Sequence, residues 1–463
     1  MSSSSSRSLK SLSLSALLTT VVLSGVASCA PRTAAVAPGV NPLNAFNANR
    51  AAFSGQSASV SPADNFNQYI RNKMRSGGYD GGQTPEAIMG TPVQALPAAT
   101  GTKALTYMTY EALDNNLYAD LNRVVDTLEL VGSSNQMNLI AQTDNYGAGN
   151  AARYYLQQNA FGQIESPYQA LGAAGENSGD AQVFANAVKW GFSSYPSRYK
   201  WLNISTHGMG FAGINYDDEP EQSLNIMQFG QALRSGLQGQ KLDIVSFDAC
   251  LMATVEVASE LKDSSNILVG SEDSTYYWGK GYYTTFSRLA PNPAAMNPSQ
   301  VARSMVVDVH DKNSGNQTLT ISATDLTKVS RLEAELDKLA RALRQALPQK
   351  KDAIIRAVRA SQEFHMAEGI PFRDINRVVA LLKQHVQDEN INAICDQINH
   401  IMYRQGVILF ARQNRIEEGE GRGLSIYLPS EGQVSQTYRQ TRFAKETQWD
   451  EFLIELNQAI QAG

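Results

Sequence analysis

The chain has 463 residues, 43% of them hydrophobic and 18% charged, which is apolar enough for a sizeable core and excludes a wholly disordered protein. Its 39 basic residues are outnumbered by 44 acidic ones, and the net charge of −5 argues against a broad nucleic-acid-binding face. Three cysteines make no dense disulfide scaffold, and the five histidines form no H-E-x-x-H and meet no paired C-x-x-C, so a zinc enzyme lacks support, as do a G-x-S-x-G hydrolase and a phosphate loop.

At the N-terminus, Arg7 and Lys10 precede an apolar run from Leu12 to Val26 that is too short and serine-rich for a membrane span, the pattern of an export signal. The run ends in Val26-Ala27-Ser28-Cys29, which resembles the bacterial lipobox, with Cys29 as the residue that receives lipid. Ordinary signal-peptidase cleavage after Ala30 is the alternative. Residues 1–29 are therefore expected to act as a lipoprotein signal that holds the chain to the membrane of a bacterial cell envelope, or to release it as a secreted protein if the lipobox is not used. Residues 30–101, rich in Ala, Ser, Pro, Asn and Gly, read as a low-complexity tether with one weak helix around Phe66–Met74.

From Lys103 onward short apolar strands alternate with longer amphipathic stretches. Strands are predicted over Ala104–Tyr110, Met137–Gln142, Trp201–Thr206, Leu242–Phe247 and Asn266–Gly270. Helices are predicted over Leu117–Leu130, Val183–Trp190, Leu224–Leu237 and Leu251–Leu261. The alternation implies an α/β fold, a mostly parallel sheet covered on both faces. Residues 102–325 are taken as the catalytic domain. Residues 326–463 are taken as a largely helical C-terminal subdomain, with amphipathic helices over Leu332–Leu347 and Ile375–Val386 and a β-hairpin made of Val407–Ala411 and Leu424–Leu428.

In open α/β sheets, ligands bind beyond the carboxyl ends of the strands. His207-Gly208 follows one predicted strand and Asp248-Ala249-Cys250 follows another, so neighbouring parallel strands would bring an imidazole and a thiol to one edge. Cys250 also stands where a helix is predicted to open, and a helix N-terminus favours a thiolate. Each residue alone reads as readily as core packing; the pair at matched strand ends points to nucleophilic catalysis. Cys395 lies on a core-facing helical stripe, and His310, His365, His385 and His400 read as surface or satisfied histidines.

Ser205-Thr206-His207-Gly208 together with Phe247-Asp248-Ala249-Cys250-Leu251-Met252-Ala253 resembles the clostripain family of cysteine peptidases, members of the caspase-like clan. The resemblance extends over about residues 103–455: Tyr107-Met108 with Asp114-Asn115-Asn116-Leu117, Gly179-Asp180, Trp190, Tyr195-Pro196, Tyr199, Gly270-Ser271-Glu272, Gly423–Pro429 and Trp449 are similar too. It implies a caspase-like fold and an endopeptidase acting on protein or peptide substrates as a monomer. Cys250 is then the nucleophile, and His207 the general base or the proton donor to the leaving amine. The N–H groups of Gly208 and Cys250 form the oxyanion hole. The scaffold used only for binding peptides or envelope components, as a catalytically silent surface lipoprotein, is the alternative.

The family's cleavage after Arg or Lys rests on acidic S1 residues. Asp248 matches one, with a helix N-cap as its other reading. The place of the second is taken by aromatic residues near Tyr277-Trp278, with Glu272 and Asp273 nearby. Asp248, Glu272, Asp273 and Trp278 are thus the candidate substrate-binding residues. The acidic run Asp217, Asp218, Glu219 and Glu221 reads as a solvated loop; calcium binding is the sharper alternative, prompted by calcium dependence in relatives.

Overall fold

The computed structural model describes residues 90–462, apart from 119–120, 148, 161–163, 173–176, 276, 314–318, 365–369 and 415–420. The export signal, Cys29, the helix expected around Phe66–Met74 and His365 lie outside the described residues.

The strands in chain order are β1 (Thr91–Pro92), β2 (Lys103–Leu113), β3 (Met137–Asn145), β4 (Ala152–Tyr155), β5 (Pro167–Ala170), β6 (Ser197–Ser205), β7 (Ile214–Asp218), β8 (Glu221–Leu224), β9 (Leu242–Asp248), β10 (Ser265–Gly270), β11 (Leu319–Asp325), β12 (Phe372–Asp374), β13 (Ile408–Asn414) and β14 (Ser425–Tyr427). Ten of them form one sheet in the order β1-β5-β4-β3-β2-β6-β9-β10-β11-β13. Its centre, β3-β2-β6-β9-β10, is parallel throughout, while β4, β11 and β13 join antiparallel to their neighbours. Strands buried on both faces can be apolar on both, which is why the central ones stand out as short apolar segments.

Alternate residues of each central strand feed two cores. Leu105, Tyr107, Leu139, Trp201, Ile244 and Val269 pack on one face. There they meet the helices α1 (Leu121–Glu129), α5 (Lys280–Leu289) and α6 (Pro298–Asn313) through Val124, Phe286 and Met305. Met108, Ile140, Leu202, Ile204, Val245 and Phe247 pack on the other face. That face is covered by α2 (Ala181–Ser194), α3 (Ile226–Leu237) and α4 (Val255–Leu261) through Phe184, Phe229 and Val257. The starts of α2 and α3 are set locally. Asp180 accepts the N–H groups of Gln182 and Val183, and Asn225 with Gln228 forms a capping box.

The C-terminal part extends the second core with α7 (Val329–Ala360), α8 (Ile375–Val386), α9 (Glu389–Asn399), α10 (Arg442–Glu446) and α11 (Trp449–Gln461). The helix expected over Leu332–Leu347 continues to Ala360, through Pro348 and a non-helical Lys350. Helix α8 has the expected bounds.

The expected hairpin does not form. Strand β13 pairs with β11 and extends the main sheet, whereas β14 pairs with β12. Both segments have strand character, but tertiary partners and not the turn between them set their register. The acidic stretch is also no loop: Ile214–Asp218 and Glu221–Leu224 form the antiparallel ribbon β7–β8, with Asp217 wholly buried. Among the described residues, no helix is long and apolar enough to cross a membrane.

Candidate active site

The histidine and cysteine come off adjacent parallel strands. In the register of β6 with β9, Ser205 stands opposite Asp248, so His207 and Cys250 each lie two residues beyond this pair. The Thr206 N–H donates to the Asp248 carbonyl at 3.3 Å, carrying the pairing one residue further. Gly208 then lies against the cysteine backbone: a Cβ on it would come 2.5 Å from the Cys250 carbonyl oxygen, so the close approach requires glycine.

Cys250 does not open a helix. After β9 the chain makes a turn with Leu251 at φ 61°, and α4 starts only at Val255. Its N-cap is Thr254, whose Oγ1 accepts the Val257 N–H at 3.2 Å, and not Asp248. The helix-terminus argument for a Cys250 thiolate therefore does not apply. Leu251, Met252 and Ala253 extend the apolar pattern of the helix because they are buried in a turn.

That turn is held by the segment after β10. The N–H groups of Leu251 and Ala253 donate to the carbonyls of Asp273 (3.2 Å) and Ser271 (2.8 Å). Thr320 on β11 fixes the segment in turn. Its Oγ1 accepts the N–H groups of Glu272 and Asp273, both at 3.0 Å, and meets the Ser271 hydroxyl at 2.7 Å. Thr275 follows and lies on the thiol: its N–H donates to Cys250 Sγ at 3.3 Å, and its carbonyl stands 3.8 Å from the same sulfur. Cys250 and His207 are each 1% exposed.

On the other side, His207 Nε2 lies 2.8 Å from Asn116 Oδ1. The preceding Asn115 pins this loop. Its Nδ2 donates to the carbonyls of Ala112 and Tyr216, both at 3.0 Å, and its Oδ1 accepts the Leu117 N–H at 2.9 Å.

The four candidate substrate-binding residues divide. Asp248 and Trp278 are brought together: Asp248 Oδ2 accepts the Trp278 N–H at 3.2 Å and the Tyr282 hydroxyl at 2.9 Å. Tyr282 accepts from Asn203 Nδ2 at 3.1 Å, Asn203 Oδ1 accepts the Ser246 hydroxyl at 2.6 Å, and Ser246 accepts Trp201 Nε1 at 2.8 Å. This buried chain ties Asp248 to β6, β9 and α5, which favours a fixed carboxylate over a mobile one. Asp273 supplies its carbonyl to the cysteine turn, as above. Glu272 is engaged with the C-terminal part: its Oε2 accepts the Gly423 N–H at 2.7 Å, and it hydrogen-bonds Asp374, whose buried carboxyl is pushed up to about 6.

The acidic run is dispersed. Asp217 accepts the Ser178 N–H (2.7 Å), the Ser178 hydroxyl (3.0 Å) and the Glu219 N–H (3.0 Å), while Asp218 accepts the Tyr216 hydroxyl at 3.0 Å. Among the described residues no group of three or more His, Cys, Asp or Glu is placed to hold a metal ion. Asp114 and Asp144 join Asp217 instead in a buried carboxyl cluster. Burial and the neighbouring Asp217 push Asp114 up to about 8, and Asp144 and Asp217 are raised as well, chiefly by burial.

Cys250 and Cys395 are both free and buried, so the expected nucleophile is not consumed in a disulfide. Burial pushes the Cys395 thiol up to about 12, as expected for a core residue. Thr275 and Thr320 are site neighbours that nothing in the sequence marks, whereas Asn116 stands in the Asp114–Leu117 stretch that resembles the family, with no role assigned to it there. Asn116 alone had a usable signal, since it follows the first predicted strand at the edge where His207 and Cys250 emerge.

The Clostripain family model (Peptidase C11) matches residues 107–456. Clostripain from Hathewaya histolytica is 24% identical over 416 residues, covering 72% of this chain and 76% of that protein. A secreted C11 cysteine protease from Bacteroides thetaiotaomicron, solved with an irreversible peptide inhibitor, superposes with a TM-score of 0.54 at 19% identity, over 78% of this chain and 100% of that one. An inactive zymogen C11 protease from Parabacteroides distasonis does so with a TM-score of 0.55 at 17% identity, over 76% and 99%. These likenesses agree with the caspase-like α/β fold expected from the sequence. The chain belongs to the clostripain family of cysteine peptidases.

Proposed function

We propose that the protein is an exported endopeptidase whose nucleophile is Cys250 and whose acid–base group is His207. One observation carries this reading: the register of β6 with β9, which sets both residues at matching distances past the same sheet edge. Cys250 gives its thiol proton to His207, and the sulfur attacks the scissile carbonyl carbon, forming a C–S bond and pushing the π electrons onto oxygen. The N–H groups of Gly208 and Cys250 receive that oxyanion. His207 protonates the departing amine as the C–N bond breaks, leaving a thioester. It then takes a proton from water, which attacks the thioester and returns the thiol.

Asp248 forms the acidic floor of an S1 pocket beside Trp278, favouring Arg or Lys at P1, with Asp273 on its rim. Glu272 serves instead to hold the segment around Gly423. Substrate reaches Sγ only once the Thr275 backbone has moved off it. The Val26–Cys29 pattern supports export and a lipid on Cys29, with residues 30–101 as tether, residues 102–325 as catalytic domain and residues 326–463 as the C-terminal subdomain.

The test is cleavage of a P1-varied fluorogenic peptide library by residues 30–463, intact and after limited proteolysis, beside Cys250→Ala and His207→Ala. Cleavage lost in both variants, with unchanged melting curves, is expected. Activity retained by either variant would overturn the dyad. Absence of cleavage by the folded parent in every form would favour a binding role. Radiolabelled fatty acid in the full-length chain, absent from Cys29→Ala, tests the anchor.

A further inference from the structure

We infer that Asn116 is the positioning residue for the His207 imidazole; this rests on the Cys250–His207 reading above. The contact is direct, Asn116 Oδ1 to His207 Nε2 at 2.8 Å. An amide oxygen only accepts, so this contact selects the ring form carrying hydrogen on Nε2 and leaves Nδ1 to exchange protons with the reacting groups.

The amide is held through the residues just before it. Asn115 is clamped by Ala112, Tyr216 and Leu117, and the Asp114 carbonyl accepts the Asp218 N–H at 2.9 Å. The histidine loop is tied to the same strand end, because the Thr206 hydroxyl donates to the Ala112 carbonyl at 2.8 Å. Asn116 and His207 are thus referred to one point, the end of β2, and the ring is oriented before substrate arrives.

A neutral amide orients the ring without adding charge. A carboxylate in its place would do both, since a carboxylate beside an imidazolium stabilises the protonated ring. Asn116→Ala and Asn116→Asp therefore separate orientation from charge. In Asn116→Ala, kcat is expected to fall about 10- to 100-fold with KM within about twofold, since tautomer and ring position matter to proton transfer and not to peptide binding. In Asn116→Asp, most of kcat returns and the alkaline limb of the kcat/KM profile moves up by about one pH unit.

Melting curves and far-UV circular dichroism spectra of each variant establish that it is folded, and the Asp variant guards against an alanine variant that is not. His207→Ala and Cys250→Ala run beside them. If those two are inactive while Asn116→Ala matches the parent in kcat, the Asn116 role is overturned and the dyad stands. If both Asn116 variants lose kcat equally with no shift of the alkaline limb, the contact is structural and the inference is wrong. If His207→Ala is active, it is the dyad that fails.

Discussion

The backbone of Thr275 lies on the thiol of Cys250, its N–H donating to Sγ at 3.3 Å. The only other free cysteine among the described residues, Cys395, is buried in a helical core. Neither thiol is therefore open to a small reagent without local opening. Iodoacetamide should modify both at least about tenfold more slowly than a cysteine in an unfolded peptide. A peptide-directed electrophile should modify Cys250 alone. Mass spectrometry of the two tryptic peptides reads both rates, and fast labelling of Cys250 in the resting protein would show that Thr275 does not cover it.

Asp248 gives a second prediction. Asparagine can still accept from the Trp278 N–H and the Tyr282 hydroxyl, so Asp248→Asn removes the charge while keeping these two bonds. For Arg or Lys at P1, kcat/KM should fall by about 2–4 kcal/mol in transition-state stabilisation, the scale of losing one partner of a desolvated charge pair. A neutral P1 residue of similar length should lose less than about tenfold. Equal losses for both would mean that Asp248 supports the turn and does not read the substrate.

The sequence made the centre of the sheet legible for a physical reason. Strands β2, β3, β6, β9 and β10 are largely buried on both sides and carry short apolar runs of two or three residues among buried polar ones. Strands β4 and β5 were missed because they are short and half-buried, and Arg153 and Gln169 break any run. The apolar residues 251–253 looked helical because a buried turn and a buried helix leave the same composition. His207 and Cys250 were legible because strand ends can be counted. Thr275 was not, nor was the contact that Asn116 makes with His207, because contacts between loops have no period and depend on how the strands are ordered.

Leu251 sets two effects against each other. Its φ of 61° is a conformation that costs an L-residue about 1–2 kcal/mol, which glycine avoids. Its side chain is fully buried, and truncating a buried leucine costs about 2–5 kcal/mol. The burial effect is larger, so Leu251→Gly should destabilise the protein by roughly 1–3 kcal/mol in urea unfolding, with a matching loss of cleavage as the Cys250 turn loosens. A glycine variant more stable than the parent would show that the backbone strain dominates.

The carboxyl cluster behind the Asn116 loop makes stability depend on pH in a definite direction. Asp114 is pushed up to about 8, and Asp144 and Asp217 are raised with it. A carboxyl with a higher pKa in the fold than in the unfolded chain holds its proton longer when folded. Its stabilising share is complete below about pH 4 and is lost as pH rises through about 8. Asp114→Asn keeps an oxygen to accept the Gly147 N–H, a bond of 3.3 Å, and removes one of the charges. The variant's stability relative to the parent should rise steadily from pH 5 to pH 9, by on the order of 2–4 kcal/mol over that range. Because Asp114 is two residues from Asn116, the same variant should hold its activity further into alkaline pH. Melting curves and kcat measured from pH 5 to pH 9 check both, and parallel profiles for variant and parent would mean that the three carboxyls ionise without straining the loop.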